Sequence, residues 1–66
     1  MIEPKEGMRV VVLNLDRKFL GCGTVIKVQP LIVKETQKLV TNYFPTIRLD
    51  SGEELNGLEC WWHELK

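Results

Sequence analysis

The sequence predicts an all-β fold, a small barrel formed as a single domain over residues 1–66. Three observations carry this. The run Val10 to Leu13 is apolar and largely β-branched, and a polar tip from Asn14 to Lys18 follows it. Gly21 and Gly23 then open a second β-branched run, Thr24 to Val28. Two such runs joined by a turn-forming segment are the pattern of paired strands. Asp50-Ser51-Gly52 and Asn56-Gly57 repeat the punctuation further along, as a β meander does.

The first strand places Met8, Val10 and Val12 on one face and Arg9, Val11 and Leu13 on the other. Both faces are partly apolar, which suits a closed or two-layer β structure. Phe19, beside the polar tip, is a lid or an exposed contact. Gly21-Cys22-Gly23 permits a bend or bulge. Val25 and Val28 cannot share one face of a regular strand, so a bulge or strong twist is expected between them. Pro30 donates no hydrogen bond and is expected to end the ladder of the second strand.

The stretch from Gln29 to Pro45 reads as a long hairpin or loop arm between strands 2 and 3. Leu31-Ile32-Val33 and Leu39-Val40-Thr41 look like strand cores, and Glu35 to Lys38 forms the tip. A short helix over Val33 to Val40 is the alternative, and the three β-branched residues there oppose it. Beyond the arm, Ile47 and Leu49 point inward. Asn56-Gly57 reads as a two-residue hairpin turn that sets Leu55 opposite Leu58, or as a bulge in a longer strand. Leu65 is placed to close the bottom of the barrel, with at most one helical turn near Trp62 to Leu65. Alternation sends Trp61 and Trp62 to opposite faces, one inward and one outward. The expected core is Val10, Val12, Val25, Ile47, Leu49 and Leu58.

Nine basic and nine acidic residues give zero net charge, unevenly spread. Residues 1–45 hold seven basic and four acidic side chains, and residues 46–66 hold two and five. Such asymmetry can orient a charged partner, although folding mixes the halves in space. No apolar run approaches the length of a membrane span, and the first residues lack the apolar stretch of a signal peptide. A cytoplasmic protein with no membrane partner is expected.

The cysteines are Cys22 and Cys60, and His63 is the lone histidine. No C-x-x-C pair is present, and structural zinc takes four protein ligands. Neither a metal nor a cofactor is expected, and a chelator should leave the fold intact. A Cys22–Cys60 disulfide competes with two reduced thiols, at least one packed as a small hydrophobe. No serine–histidine–acid spacing or phosphate-cradling glycine loop occurs. Asp50, Glu53 and Glu54 read as a solvated turn, and His63 and Glu64, adjacent on a strand, point apart. The chain is not expected to be an enzyme.

Gly7 with Val10 and Val12, followed by Gly21, Gly23, Val25 and Val28, resembles a KOW module. The segment Ile47-Arg48-Leu49-Asp50-Ser51-Gly52-Glu53-Glu54 resembles a Tudor module. Both belong to the SH3-like small-barrel superfamily. The loop between the first two strands reads Leu15-Asp16-Arg17-Lys18, where KOW modules usually carry a glycine. The resemblance implies five short, strongly bent antiparallel strands and a binding module without catalysis.

The binding class expected is protein or peptide, with the chain serving as a module or accessory subunit. Its candidate contacts are Phe19, Tyr43, Trp61 and Trp62, large rings that a short chain cannot all bury. The middle arm also offers an edge to a partner strand or a second copy, as in a homodimer. The alternative is a nucleic-acid interface in which Arg17, Lys18, Lys27 and Lys34 meet phosphate and aromatics stack on bases. Zero net charge counts against it.

Overall fold

The computed structural model describes residues 3–65. It is all-β, with strands β1 Arg9–Leu13, β2 Phe19–Val33, β3 Lys38–Leu49, β4 Glu54–Asn56 and β5 Trp61–Glu64, and no helix among the described residues. All pairings are antiparallel, in one sheet ordered β4-β3-β2-β1-β5. β4 and β5 occupy opposite edges, so the sheet is open where a closed barrel was expected.

Sheet curvature comes from β2. Its 15 residues would span about 50 Å if straight, yet the longest dimension of the molecule is 34 Å. The bends coincide with register shifts. Opposite β1, Val12 pairs with Gly21 and Leu13 with Phe19, which leaves Leu20 unpaired. Opposite β3, Val25 pairs with Ile47 and Lys27 with Thr46, which leaves out Ile26. This is the irregularity anticipated between Val25 and Val28. Gly23 allows the strands to close: a Cβ there would lie 2.7 Å from the Arg48 carbonyl oxygen and 2.9 Å from Ile47 Cγ2. Gly52, at φ +101°, occupies the left-handed region in the turn between β3 and β4.

The core is Val10, Val12, Val25, Ile47, Leu49 and Cys60, with Met8, Val28, Leu55 and Trp62 packed against it. Five of the six expected core residues are therefore buried. Leu58 is the exception, at 67% exposure. The reason lies in Asn56. Its side-chain oxygen accepts from Leu58 N at 2.9 Å, its carbonyl accepts from Glu59 N at 3.0 Å, and its own N–H donates to Glu59 Oε1 at 3.1 Å. These bonds close a turn over residues 57–59 in place of either expected arrangement, the two-residue hairpin or the bulge. Leu55 pairs with Ile47 instead, Leu58 turns outward, and Cys60 drops into the core with its thiol 3.5 Å from the Asn56 carbonyl.

Two further expectations are corrected by the structure. Pro30 does not end β2: the strand runs through it to Val33, and the register slips around it, between Gln29 and Leu31. Leu65, expected to close the barrel bottom, is exposed, and its N–H donates to the Arg9 carbonyl at 2.9 Å; Trp61–Glu64 before it is strand, within the expectation of at most one helical turn there. Pro4, ahead of β1, is buried. The arm is a two-stranded hairpin, as read from the sequence, with Leu31 opposite Thr41 and Ile32 opposite Leu39 around a turn at residues 34–37.

Candidate protein-interaction surface

The surface begins in the loop from Asn14 to Lys18, which Asn14 organises. Its side-chain oxygen accepts from Asp16 N and Lys18 N, both at 2.9 Å. Its backbone N–H donates to the Lys18 carbonyl and its carbonyl accepts from Arg17 N, both at 2.8 Å. The short polar side chain thus does what its residue type favours in turns. Arg17 is held at φ +66°, a left-handed conformation unfavourable for an L-residue with a long side chain. From there its guanidinium sits over the Trp61 ring, 5.0 Å from the centroid, within cation–π range.

Register places the next components. Leu13 pairs with Phe19 on β2 and with Trp61 on β5. Directly opposed residues in a ladder are neighbours on one face, so Phe19, Leu13 and Trp61 form a row across three strands. Phe19 is 66% exposed and Trp61 50%, and Leu15 and Leu20 beside them are also exposed. His63 lies two residues along β5, opposite Val11, and lines with Leu13, Arg17, Trp61 and Trp62 a hollow of about 260 Å³.

The four expected aromatic contacts are therefore split. Phe19 and Trp61 share the row. Trp62 is the inward tryptophan: it pairs with Val12, packs on the core, and lines both the hollow beside Trp61 and a second one of about 330 Å³ at the base of the arm, which Tyr43 also lines. The four cations of the alternative reading are split too. Arg17 and Lys18 precede β2, Lys27 lies in its middle and Lys34 just beyond its end. Arg17 and Lys18 flank the aromatic row, whereas Lys27 and Lys34 lie further along the bent strand, so the four do not gather into one basic patch. Neither Leu13 nor His63 was among the partner contacts expected from sequence. Alternation already put Leu13 on the face of Arg9 and Val11, but only the pairing of β1 with β5 brings it beside Trp61.

Two ion pairs lie off this surface. Arg9 donates twice to Asp50, each bond 2.8 Å, and once to Thr24 Oγ1 at 2.8 Å. Its hydrogen bonds hold the Asp50 carboxyl below the usual carboxylate range and raise Arg9 in turn. Arg48 pairs with Glu54 across β3 and β4 at 2.8 Å. Both cysteines are free thiols. Burial, and secondarily the charge of Glu59, pushes the Cys60 thiol up. Cys60 faces the core, whereas Cys22 and His63 both lie opposite Val11. Among the described residues no three His, Cys, Asp or Glu side chains are placed to hold a metal ion.

No family model, curated protein or solved structure matches this chain.

Proposed function

We propose that the chain is a non-catalytic protein-binding module, related in architecture to SH3-like barrels, that engages a peptide or protein through Phe19, Leu13, Trp61 and Arg17. The observation that carries the reading is the row itself: two exposed aromatic rings joined by Leu13, with an arginine stacked on one of them. Trp and Arg are the residues that most often dominate binding energy at protein interfaces, and rigid rings lose little entropy on contact. Arg17 and Lys18 beside the rings suit a partner that presents an apolar side chain next to a carboxylate. The antiparallel meander of β1 to β4, with β5 returning to pair with β1, supports the architectural part of the reading.

The nucleic-acid alternative is weaker on this geometry. Asp16 sits in the same loop as Arg17 and Lys18, and Lys27 and Lys34 lie away from the rings. The two readings separate by salt response. Capture of a partner by the wild type should persist at high salt and fall about tenfold or more in Phe19→Ala and Trp61→Ala. Binding that survives both ring truncations, yet vanishes at high salt and in Arg17→Ala/Lys18→Ala, would reverse the assignment.

A further inference from the structure

The hollow beside Trp61 is charged on one side of the scale only. Three apolar residues line it, Leu13, Trp61 and Trp62, together with two basic ones, Arg17 and His63, and no carboxylate does. Among the described residues the ion pairs are Arg9–Asp50 and Arg48–Glu54, so neither Arg17 nor His63 has an acidic partner within ion-pair distance. The Arg17 guanidinium lies over the Trp61 ring. A guanidinium stacked on a ring keeps its in-plane N–H fork for a carboxylate. The volume, about 260 Å³, falls below the roughly 300 Å³ at which pockets for drug-sized ligands begin. It suits one or two side chains of a peptide.

His63 adds a group whose charge can change. Its Nδ1 lies 3.4 Å from the Glu64 carbonyl oxygen. A carbonyl only accepts, so Nδ1 donates in that contact and Nε2 is the nitrogen left to gain a proton. The charged and titratable groups around the ring are few. On β1, Val11 is directly opposite, and Arg9, next on that face, is held by Asp50. On β2, Cys22 lies across Val11. From the loop come Arg17, which lines the same hollow, and its neighbours Asp16 and Lys18. Glu64, opposite the buried Val10, is on the other face of β5.

We infer that the hollow takes an acidic segment of a protein partner, an apolar side chain beside an aspartate or glutamate, and that His63 makes its capture proton-coupled. This rests on the protein-binding reading above and adds the partner's chemistry and a control on it. The apolar side chain meets Leu13 and Trp61, and the carboxylate is gripped by Arg17. A proton on His63 supplies the carboxylate with a second cation. The coupling is reciprocal: if the proton tightens the carboxylate, the carboxylate holds the proton equally. An aspartate stays ionised across the window, from about pH 8 to about pH 5.5, in which imidazoles ordinarily change charge. Capture therefore tightens as the solution becomes more acid.

The test titrates the isotope-labelled full chain with two blocked peptides, acetyl-Leu-Asp-Leu-amide and its asparagine counterpart, at the two ends of that window. The ring signals of Trp61 and His63 report binding. The aspartate peptide should bind the wild type more tightly than the asparagine peptide. It should gain about three- to fivefold toward acid, the scale of an exposed ion pair, while the asparagine peptide gains nothing. Both side chains to be changed are exposed, so the fold should persist. His63→Gln should remove the pH dependence, Cys22→Ser should retain it, and Arg17→Gln should remove most of the preference for aspartate. Equal binding of the two peptides at Trp61, or a pH dependence that survives His63→Gln, overturns the inference and leaves the row as an apolar peptide site. If neither peptide moves the Trp61 signals, the inference falls, and the pull-down with Phe19→Ala and Trp61→Ala decides separately whether the protein-binding reading falls with it.

Discussion

The two halves of β2 share a residue alphabet and have opposite fates. From Phe19 to Thr24 the strand pairs with β1 and from Gly23 onward with β3, and Val25, beside that overlap, is fully buried. Beyond Lys27 it has β3 alone for a neighbour, and Ile32 and Val33 are exposed. Valine at 25 and valine at 33 have the same β propensity, so propensity makes both strand. Burial is decided by how many layers the topology brings to each place. In the first half, Gly23 lets β3 approach and β1 supplies Val10 and Val12. In the second half nothing covers the ribbon within the monomer.

The largest expected effect tests that contrast directly. Ile47→Ala and Val12→Ala each empty part of a core of six buried residues and should lower stability by about 2–4 kcal/mol. For a domain this small that is a large share of the total. Val33→Ala, at an exposed position of the arm, should change stability by no more than about 0.5 kcal/mol. Chemical denaturation of the three variants gives the comparison. Equal losses at Val33 and Val12 would mean that the arm is packed in the monomer and that the contrast is mistaken.

Gly23→Ala comes next and sharpens the contrast at its origin. The added methyl would meet a backbone oxygen at 2.7 Å, an atom that cannot swing aside as a side chain would. Separation of β2 from β3 should cost about 1–3 kcal/mol, the usual range for overpacking. Amide exchange should report the damage in β1 and the core half of β3 more than in the arm. Wild-type stability in Gly23→Ala would show that the sheet yields there more easily than its close approach implies.

These particulars explain how much was legible in the sequence. Val10, Val12, Val25, Ile47 and Leu49 were readable as core because alternation alone assigns their faces once strands are recognised. The arm was readable because two β-branched segments flank a polar tip. Leu58 was not, because Asn-Gly is a strong hairpin signal, and only the bonds of Asn56 to Leu58 and Glu59 divert the chain into a longer turn. The open edges were not readable either, since closure depends on strand tilt and curvature that no residue pattern states. For the candidate surface, the outward position of one tryptophan was legible, but its company was not. Trp61 meets Phe19 through Leu13, a relation of register across three strands, and Tyr43 falls in the hollow at the base of the arm instead.

Arg17→Gly is a smaller effect with two readouts. Arginine at φ +66° carries backbone strain that glycine does not. Relief of that strain, offset by the greater freedom of an unfolded glycine, should leave stability unchanged or raise it by up to about 1 kcal/mol. Partner binding should nevertheless fall, because the guanidinium over Trp61 is gone. A loss of stability without a loss of binding would make Arg17 a structural residue and remove it from the proposed surface.

The smallest effect concerns the pair that joins β1 to the turn after β3. Arg9 and Asp50 are both well exposed, so their two hydrogen bonds are solvated and screened by salt. The sign of the pH dependence is still determined. Asp50 titrates lower in the folded chain than a free carboxyl, because Arg9 donates to its charged form. A group so shifted contributes stability fully above its unfolded value, about 3.9, and loses that contribution as pH falls through the lower folded value. Wild type and Asp50→Asn should therefore differ most in denaturation midpoint near neutral pH, converge as acid protonates Asp50, and differ less in high salt. Other carboxylates titrate in both proteins and cancel in the difference. A gap that stays constant down to strongly acidic pH would show that Asp50 supports the turn through its shape, with its charge contributing nothing.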